Sequence, residues 1–232
     1  MKPKIVFLDL EGTLVQIPPV ASSTQVARSA WTTVAHRLGA ACLEEEEASK
    51  KRWELGEYSS YLDWMEDSVL ALKRHGLTGE IFKNTIDSLE EMPGIRRAAS
   101  NFHKFGASIA IISGGFKRMA DRIQLATRAR HAMAACDLFF DRETDELEHW
   151  NLLPSDYAGK VDFMRLMIRE YGCSAKECVF VGDGNNDAFL AAEVGVSIAF
   201  NAQEGMRKVA SYTVNGADFS VVADIVANHP EG

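Results

Sequence analysis

Cysteine is scarce in this 232-residue sequence, and the four that occur (Cys42, Cys136, Cys173 and Cys178) form no C-x-x-C pair. Structural zinc sites and small disulfide-stapled domains need such pairs or a higher density of cysteine. The sequence therefore argues against both kinds of site. We expect reduced, mostly buried thiols in a cytoplasmic protein.

Long hydrophobic runs are also missing. No stretch of the sequence approaches the roughly 18 apolar residues that a membrane-spanning helix needs. The apolar run at residues 5–8 is too short for a signal peptide and is broken at once by Asp9 and Glu11. We therefore predict a protein without membrane attachment.

Positive charge is in the minority, with 25 Lys and Arg against 33 Asp and Glu and a net charge of −8. This balance disfavours nucleic acid and acidic membrane surfaces as partners. A small anion remains a suitable ligand, because local hydrogen-bond donors rather than net charge decide its binding. The sequence leaves open whether the protein is a monomer or a homodimer.

Short apolar runs that end in a polar residue recur along the chain, at residues 5–8, 109–112, 179–181 and 196–200. Their length and β-branched content are typical of buried parallel strands, and helical patterns separate them. We therefore predict an α/β fold with a Rossmann-like, doubly wound parallel sheet. Ligands of such sheets bind at the carboxyl ends of the strands, which is where Asp9, Ser113 and Asp183 would lie.

The stretch between the first two predicted strands has a helical character. Apolar residues recur at helical spacing in three segments, 31–38, 62–72 and 81–89, and no strand-like run interrupts them. Proline and glycine mark both ends, at residues 18–19 and 92–94. We predict a core domain of residues 1–16 and 92–232, and a helical cap domain of residues 17–91 inserted after the first strand.

Two further features of the predicted cap need an interpretation. The acidic run at residues 44–47 is typical of a solvated helix start. Aromatic side chains could line a substrate pocket, but packing within the cap or between cap and core is the favoured interpretation. These residues are Trp31, Trp53, Tyr58, Tyr61 and Trp64.

Two motifs at predicted strand ends suit phosphate chemistry. Asp9 and Glu11, in the sequence D-L-E-G-T, place two carboxylates on one turn, where one can attack phosphorus and the other can exchange protons. Alone, this motif could equally be a polar turn. Ser113, followed by two glycines, offers a hydroxyl and backbone N–H groups to an anion, although such turns are common.

A third strand end carries the most specific stretch of the chain, G-D-G-N-N-D at residues 182–187. Its carboxylates suit a hard cation, and Mg²⁺ typically takes one or two carboxylates together with water and substrate phosphate. Lys160 could neutralise a phosphoryl oxygen, although a lone lysine is usually a solvated surface residue. Together these groups would screen the repulsion between a carboxylate and a phosphate dianion.

In this order, the segments IVFLDLEGT, IAIISGG, Lys160 and VFVGDGNND resemble the haloacid dehalogenase-like superfamily of phosphatases, in particular its phosphoserine phosphatase-like branch. The resemblance covers residues 1–16 and 92–232 and implies a Mg²⁺-dependent phosphatase acting on a small phosphomonoester through an aspartyl-phosphate. It implies that Asp9 is the nucleophile and Glu11 the acid/base group. The residues implied at the metal are Asp9, Glu11, Asp183 and Asp187. Those implied to bind the phosphoryl group are Ser113, Gly114, Lys160 and Asn186.

Two departures from the family pattern leave alternatives open. Most phosphatases of the superfamily have Asp at the position of Glu11, so a phosphotransferase that uses a small alcohol acceptor, or a non-catalytic phosphate-binding regulatory protein, stays in view. The predicted cap also lacks the Glu and Arg with which phosphoserine-specific members grip the amino acid. Phosphoserine is therefore only one candidate substrate.

Overall fold

A seven-stranded sheet forms the centre of the computed structural model, which describes residues 2–19 and 29–230. The strands are β1 (Ile5–Leu8), β2 (Ser108–Phe116), β3 (His131–Phe140), β4 (Leu147–Leu152), β5 (Cys178–Gly182), β6 (Val196–Phe200) and β7 (Tyr212–Val214). Their order is β4-β3-β2-β1-β5-β6-β7, and all neighbours are parallel except β3 and β4. This arrangement confirms the predicted fold class.

The central strand β1 is covered on both faces, as the continuous apolar run predicts. Val6 and Leu8 point into one hydrophobic cluster, whereas Ile5 and Phe7 point into another on the opposite face. All four side chains are buried. The sheet is therefore the middle layer between two helical layers, and its loops at the carboxyl ends open towards one edge.

Ten α-helices accompany the sheet in the described residues. Two short 3₁₀ turns, Ala175–Glu177 and Asn185–Asp187, flank β5. The helices are α1 (Ala30–Leu38), α2 (Ala40–Glu54), α3 (Tyr61–Arg74), α4 (Gly79–Ser88), α5 (Ile95–Lys104), α6 (Lys117–Thr127), α7 (Ala158–Tyr171), α8 (Ala188–Ala191), α9 (Glu204–Val209) and α10 (Val221–Asn228). Within the described ranges, no helix is long and apolar enough to cross a membrane.

The helices α1–α4, here called the inserted helices, lie between β1 and α5 in the chain. The segments that lead into and out of them run side by side, since Val15 bridges Glu91 and the Met92 N–H donates to the Leu14 carbonyl at 2.8 Å. Side-chain caps start three of these helices, at Ser29, Ser60 and Thr78. Adjacent ends allow such an insertion without disturbing the sheet; the division into core and cap domains stays a prediction.

Two sequence interpretations differ from the structure. The Gly-rich stretch after Ser113 is not a turn, because β2 continues through it to Phe116 and α6 begins only at Lys117. The acidic run at residues 44–47 is not a solvated helix start. It lies inside α2, and Glu46 is buried with only 5% of its surface exposed.

Candidate active site

The loops after β1 and β5 bring three carboxylates together. Leu8 is paired with Val181, and the Asp9 N–H donates to the Val181 carbonyl at 2.9 Å. This register places Asp9 beside the loop that carries Asp183 and Asp187. One carboxylate oxygen from each of the three aspartates lies within 4.8 Å of the other two.

Lys160, in the first turn of α7, is the counter-charge of this cluster. Its Nζ lies 2.6 Å from Asp9 Oδ1, 2.5 Å from Asp187 Oδ1 and 3.7 Å from Asp156 Oδ1, and the side chain is fully buried. Although burial lowers the pKa of Lys160, the surrounding carboxylates hold it well above its usual range. The ammonium group therefore remains charged and fixes the position of Asp9.

Asp187 shapes the loop after β5. Its Oδ2 accepts hydrogen bonds from the backbone N–H groups of Asp183 and Gly184, each at 2.9 Å. Asp183 is held from the other side, because its Oδ1 accepts from the Thr13 hydroxyl at 2.9 Å. Gly12 makes this approach possible: its φ is +77°, and a Cβ there would lie 2.3 Å from Asp183 Oδ2.

The cluster carries more negative charge than Lys160 can balance. Burial, with the carboxylate of Asp187, raises the pKa of Asp183 to about 8, and burial holds the pKa of Asp9 well above its usual range. The described residues donate no hydrogen bond to Asp9 Oδ2 or Asp183 Oδ2. Hard carboxylate oxygens, excess negative charge and unused acceptors fit a divalent cation such as Mg²⁺.

Glu11 connects the first motif to the inserted helices. Its Oε2 accepts a hydrogen bond from the N–H of Ala30, the first residue of α1, at 3.0 Å. Its Oε1 is buried and has no hydrogen-bond partner among the described residues. Burial raises the pKa of Glu11 to about 7, a value that suits a group exchanging protons near neutral pH.

The Ser113 segment lies opposite Glu11. Ser113 Oγ accepts from the Gly115 N–H at 3.0 Å, and the Gly114 carbonyl accepts from Trp31 Nε1 at 3.0 Å. A Cβ at Gly115 would lie 2.1 Å from Glu11 Oε1. The two glycines therefore let β2 pass close to the acidic groups, although they form no turn.

One cavity joins most of the predicted site residues. Asp156 was not predicted, yet it lines the cavity, and its Oδ1 accepts from Asn186 Nδ2 at 2.7 Å. Its only signal in the sequence is its position four residues before Lys160, which is too weak to single it out. The predicted residues in the cavity wall are Asp9, Glu11, Ser113, Gly114, Asp183 and Asn186. Lys160 and Asp187 lie behind this wall.

The aromatic residues of the inserted helices both pack against one another and line the cavity, so both interpretations made from the sequence apply to them. Trp53 stacks on Trp64 with centroids 4.9 Å apart and planes at 9°, and Tyr61 meets both edge-on. The same three side chains line the cavity, as does Trp31. They pack against one another and also form its wall, whereas Tyr58 donates instead to Asp67 at 2.5 Å.

Comparison with known proteins decides the family. The family model of haloacid dehalogenase-like hydrolases matches residues 3–195. The chain belongs to this family. This haloacid dehalogenase-like hydrolase is similar to the phosphoserine phosphatase SerB2 of Mycobacterium tuberculosis. The two are 29% identical over 60% of this chain and 34% of that protein. It is also similar to the phosphoserine phosphatase of Archaeoglobus fulgidus, with 26% identity over 70% of this chain and 46% of that protein.

This haloacid dehalogenase-like hydrolase thus spans about a third to a half of the length of those two relatives. Among solved structures it resembles a phospho-aspartyl intermediate analogue of phosphoserine phosphatase, with a TM-score of 0.75 and 20% identity. The match covers 98% of this chain and 99% of the other. At that identity the likeness concerns the fold.

Proposed function

We propose that this protein is a Mg²⁺-dependent phosphatase that hydrolyses a small phosphomonoester through an aspartyl-phosphate at Asp9. The observation that carries the proposal is the position of Asp9 at the end of β1. It is held by Lys160 at 2.6 Å and grouped with Asp183 and Asp187 within 4.8 Å. Family membership supports the same reaction type.

The residues divide the chemistry between them. An Asp9 oxygen attacks phosphorus, the bond from phosphorus to the substrate alcohol breaks, and Glu11 gives its proton to the leaving oxygen. Glu11 then takes a proton from water, whose oxygen attacks phosphorus and releases inorganic phosphate from Asp9. Ser113 and the Gly114 backbone line the cavity and bind the phosphoryl oxygens, and Lys160 supplies positive charge from beside Asp9.

Asp9, Asp183 and the backbone carbonyl of Glu11 would hold Mg²⁺, and Asp187 would position the loop that carries Asp183. When bound, Mg²⁺ neutralises negative charge on the phosphoryl group. Asn186 reaches the same cavity and is oriented by its hydrogen bond to Asp156 at 2.7 Å. A cytoplasmic location stays a prediction that rests on the cysteine content alone.

The test is hydrolysis of p-nitrophenyl phosphate with Mg²⁺ and with EDTA. We expect turnover with Mg²⁺, none with EDTA, and none in Asp9→Asn. Asp162→Asn is the matched control, since the Asp162 side chain on α7 is 77% exposed and should keep full activity. Phosphate binding without turnover by the wild type would contradict the proposal.

The products separate hydrolysis from transfer. In the presence of an added alcohol, a phosphatase releases one inorganic phosphate for each p-nitrophenol. A deficit of inorganic phosphate, matched by a new phosphate ester of the alcohol, would instead identify a phosphotransferase. Intact-mass measurement of acid-quenched protein should detect a phosphorylated species in the wild type and none in Asp9→Asn.

A further inference from the structure

One end of the cavity is formed by the inserted helices, and α1 links it to the proposed reaction site. The Ala30 N–H donates to Glu11 Oε2, and the hydroxyl of Thr32 donates to Glu46 Oε1 at 3.1 Å. Residues two apart in a helix are separated by about 3 Å along its axis. The Glu11 and Glu46 carboxylates therefore bind neighbouring positions of one helix. Both carboxylates belong to residues that line the same cavity.

The cation at this end of the cavity is already engaged. Lys50 is the only lysine, arginine or histidine among the described residues that line the cavity. Its Nζ lies 2.7 Å from Glu46 Oε1 and donates to the hydroxyls of Ser29, at 3.0 Å, and Thr32, at 2.5 Å. These three acceptors match the three N–H donors of an ammonium group. Lys50 is therefore poorly placed to bind a carboxylate of the substrate.

Glu46, in contrast to Lys50, keeps a polar atom without a hydrogen-bond partner among the described residues. Its side chain lines the cavity and is buried, yet its Oε2 has no hydrogen-bond partner among the described residues. Buried carboxylate oxygens nearly always have one. Glu47 Oε1 shares this feature, but Glu47 does not belong to the cavity wall. Glu46 Oε2 therefore has acceptor capacity for a donor brought by a ligand.

The wall beside Glu46 favours a cationic donor. Trp53 follows Glu46 by seven residues on α2 and so lies on the same helix face, and Trp53, Tyr61 and Trp64 all line the cavity. The faces of aromatic rings attract ammonium groups. Glu54, the last residue of α2, is exposed and also lines the cavity, so α2 contributes two carboxylates and one lysine to the cavity wall. A positively charged group is thus favoured by hydrogen bonding, by charge and by the aromatic surface.

We propose that the cavity takes phosphate monoesters of short amino alcohols, whose primary ammonium group binds Glu46 beside Trp53 and Trp64, and that it disfavours substrates carrying a carboxylate. This inference rests on the proposed phosphatase function and names its substrate class. The alcohol oxygen lies at Glu11 and the ammonium group at Glu46, both bound to α1.

The test compares kcat/KM for three phosphate esters of similar size. O-phosphoethanolamine carries the ammonium group, n-propyl phosphate replaces it with a methyl group, and O-phospho-L-serine adds a carboxylate. We expect phosphoethanolamine to exceed propyl phosphate by about tenfold or more, as for one hydrogen bond to a charged group. It should also exceed phosphoserine.

Two variants assign the preference to this end of the cavity. Glu46→Gln should bring the ratio of phosphoethanolamine to propyl phosphate close to one, whereas Glu47→Gln, in the same acidic run, should leave it unchanged. Because Glu46→Gln also breaks the ion pair with Lys50, its fold is checked by thermal melting. Trp53→Leu keeps that pair and should lower the same ratio.

Three outcomes would overturn the inference: a wild-type ratio near one, a preference for phosphoserine, or an unchanged ratio in both Glu46→Gln and Trp53→Leu. If p-nitrophenyl phosphate is hydrolysed while the ratio is near one, only the substrate class is wrong. If p-nitrophenyl phosphate is not hydrolysed, the phosphatase proposal falls, and the substrate class falls with it.

Discussion

The hydrogen bond from Ala30 to Glu11 allows the proposed acid/base group to be tested without changing its side chain. Ala30 is the first residue of α1, so its N–H has no partner within the helix. Proline is well accepted at this position, because the preceding Ser29 is extended, with φ −146° and ψ 166°. Ala30→Pro therefore deletes one donor and keeps the helix.

The size of the effect follows from that one bond. A hydrogen bond to a charged group contributes about 1.5–3 kcal/mol, and it favours the ionised form of Glu11. In the wild type, burial raises the pKa of Glu11 and the Ala30 hydrogen bond partly offsets this, to give about 7; loss of the bond should raise the pKa further. At 1.36 kcal/mol for each pH unit, the limb of the kcat profile that reports Glu11 should move up by about one to two pH units.

The assay is kcat against pH with n-propyl phosphate and detection of inorganic phosphate, since an alkoxide leaving group depends on the proton from Glu11. Ala30→Gly keeps the N–H and is the matched control. Circular dichroism and melting temperature establish that both variants fold. Superimposable pH profiles for Ala30→Pro and Ala30→Gly would refute the assignment of Glu11 as the acid/base group.

Three further predictions concern the carboxylate cluster. Lys160→Met leaves Asp9 and Asp187 without their counter-charge, so we expect urea unfolding in EDTA to show a loss of about 3–5 kcal/mol; a loss within error would contradict this. Gly12→Ala places a Cβ 2.3 Å from Asp183 Oδ2, at a φ of +77°. The variant should bind Mg²⁺ more weakly, so half-maximal turnover should need a higher Mg²⁺ concentration. An unchanged Mg²⁺ titration of turnover would exclude that role of Gly12. The pKa of Asp183, about 8 in the metal-free fold, lies above its unfolded value. The metal-free protein should therefore lose stability as pH rises from about 4 to 8, and Mg²⁺ should raise the melting temperature more at the upper end; a smaller rise there would contradict the sign.

The sequence was informative where a strand is buried on both faces. Residues 5–8 and 196–200 read as continuous apolar runs because helices cover both sides of the sheet, and the structure places β1 and β6 at those residues. Parallel strands meet at their carboxyl ends. This rule alone predicts Asp9 and Asp183 at one edge of the sheet, and the structure groups them there.

The edge of the sheet was harder to predict. β3 and β4 form an antiparallel pair in which Phe139 and His149 face each other across a half-exposed ladder. Half-exposed strands alternate polar and apolar residues, and over so few residues this alternation is weak. The segment after Ser113 differs from its prediction for a separate reason. Two consecutive glycines usually mark a turn, but here they let β2 pass close to Glu11 and Asp156.

The acidic run in α2 shows why charge in a sequence does not report burial. Four consecutive glutamates point in four directions around a helix, so one of them faces inward whenever the helix packs. Glu46 does so, and Lys50, four residues later, follows on the same face as its partner. No periodicity in the sequence distinguishes it from Glu44, which stays exposed.

Glu11 connects the end of β1 to both α1 and β2. Its side chain is one methylene longer than that of Asp; Oε2 accepts from the first residue of α1, and Oε1 lies against Gly115 of β2. Glu46 binds the same helix two residues further on. Because α1 holds both the proposed acid/base group and the proposed ammonium site, a shift of this helix would move the two together. The proposed roles of Glu11 and Glu46 therefore predict that proton transfer and substrate choice are coupled through α1.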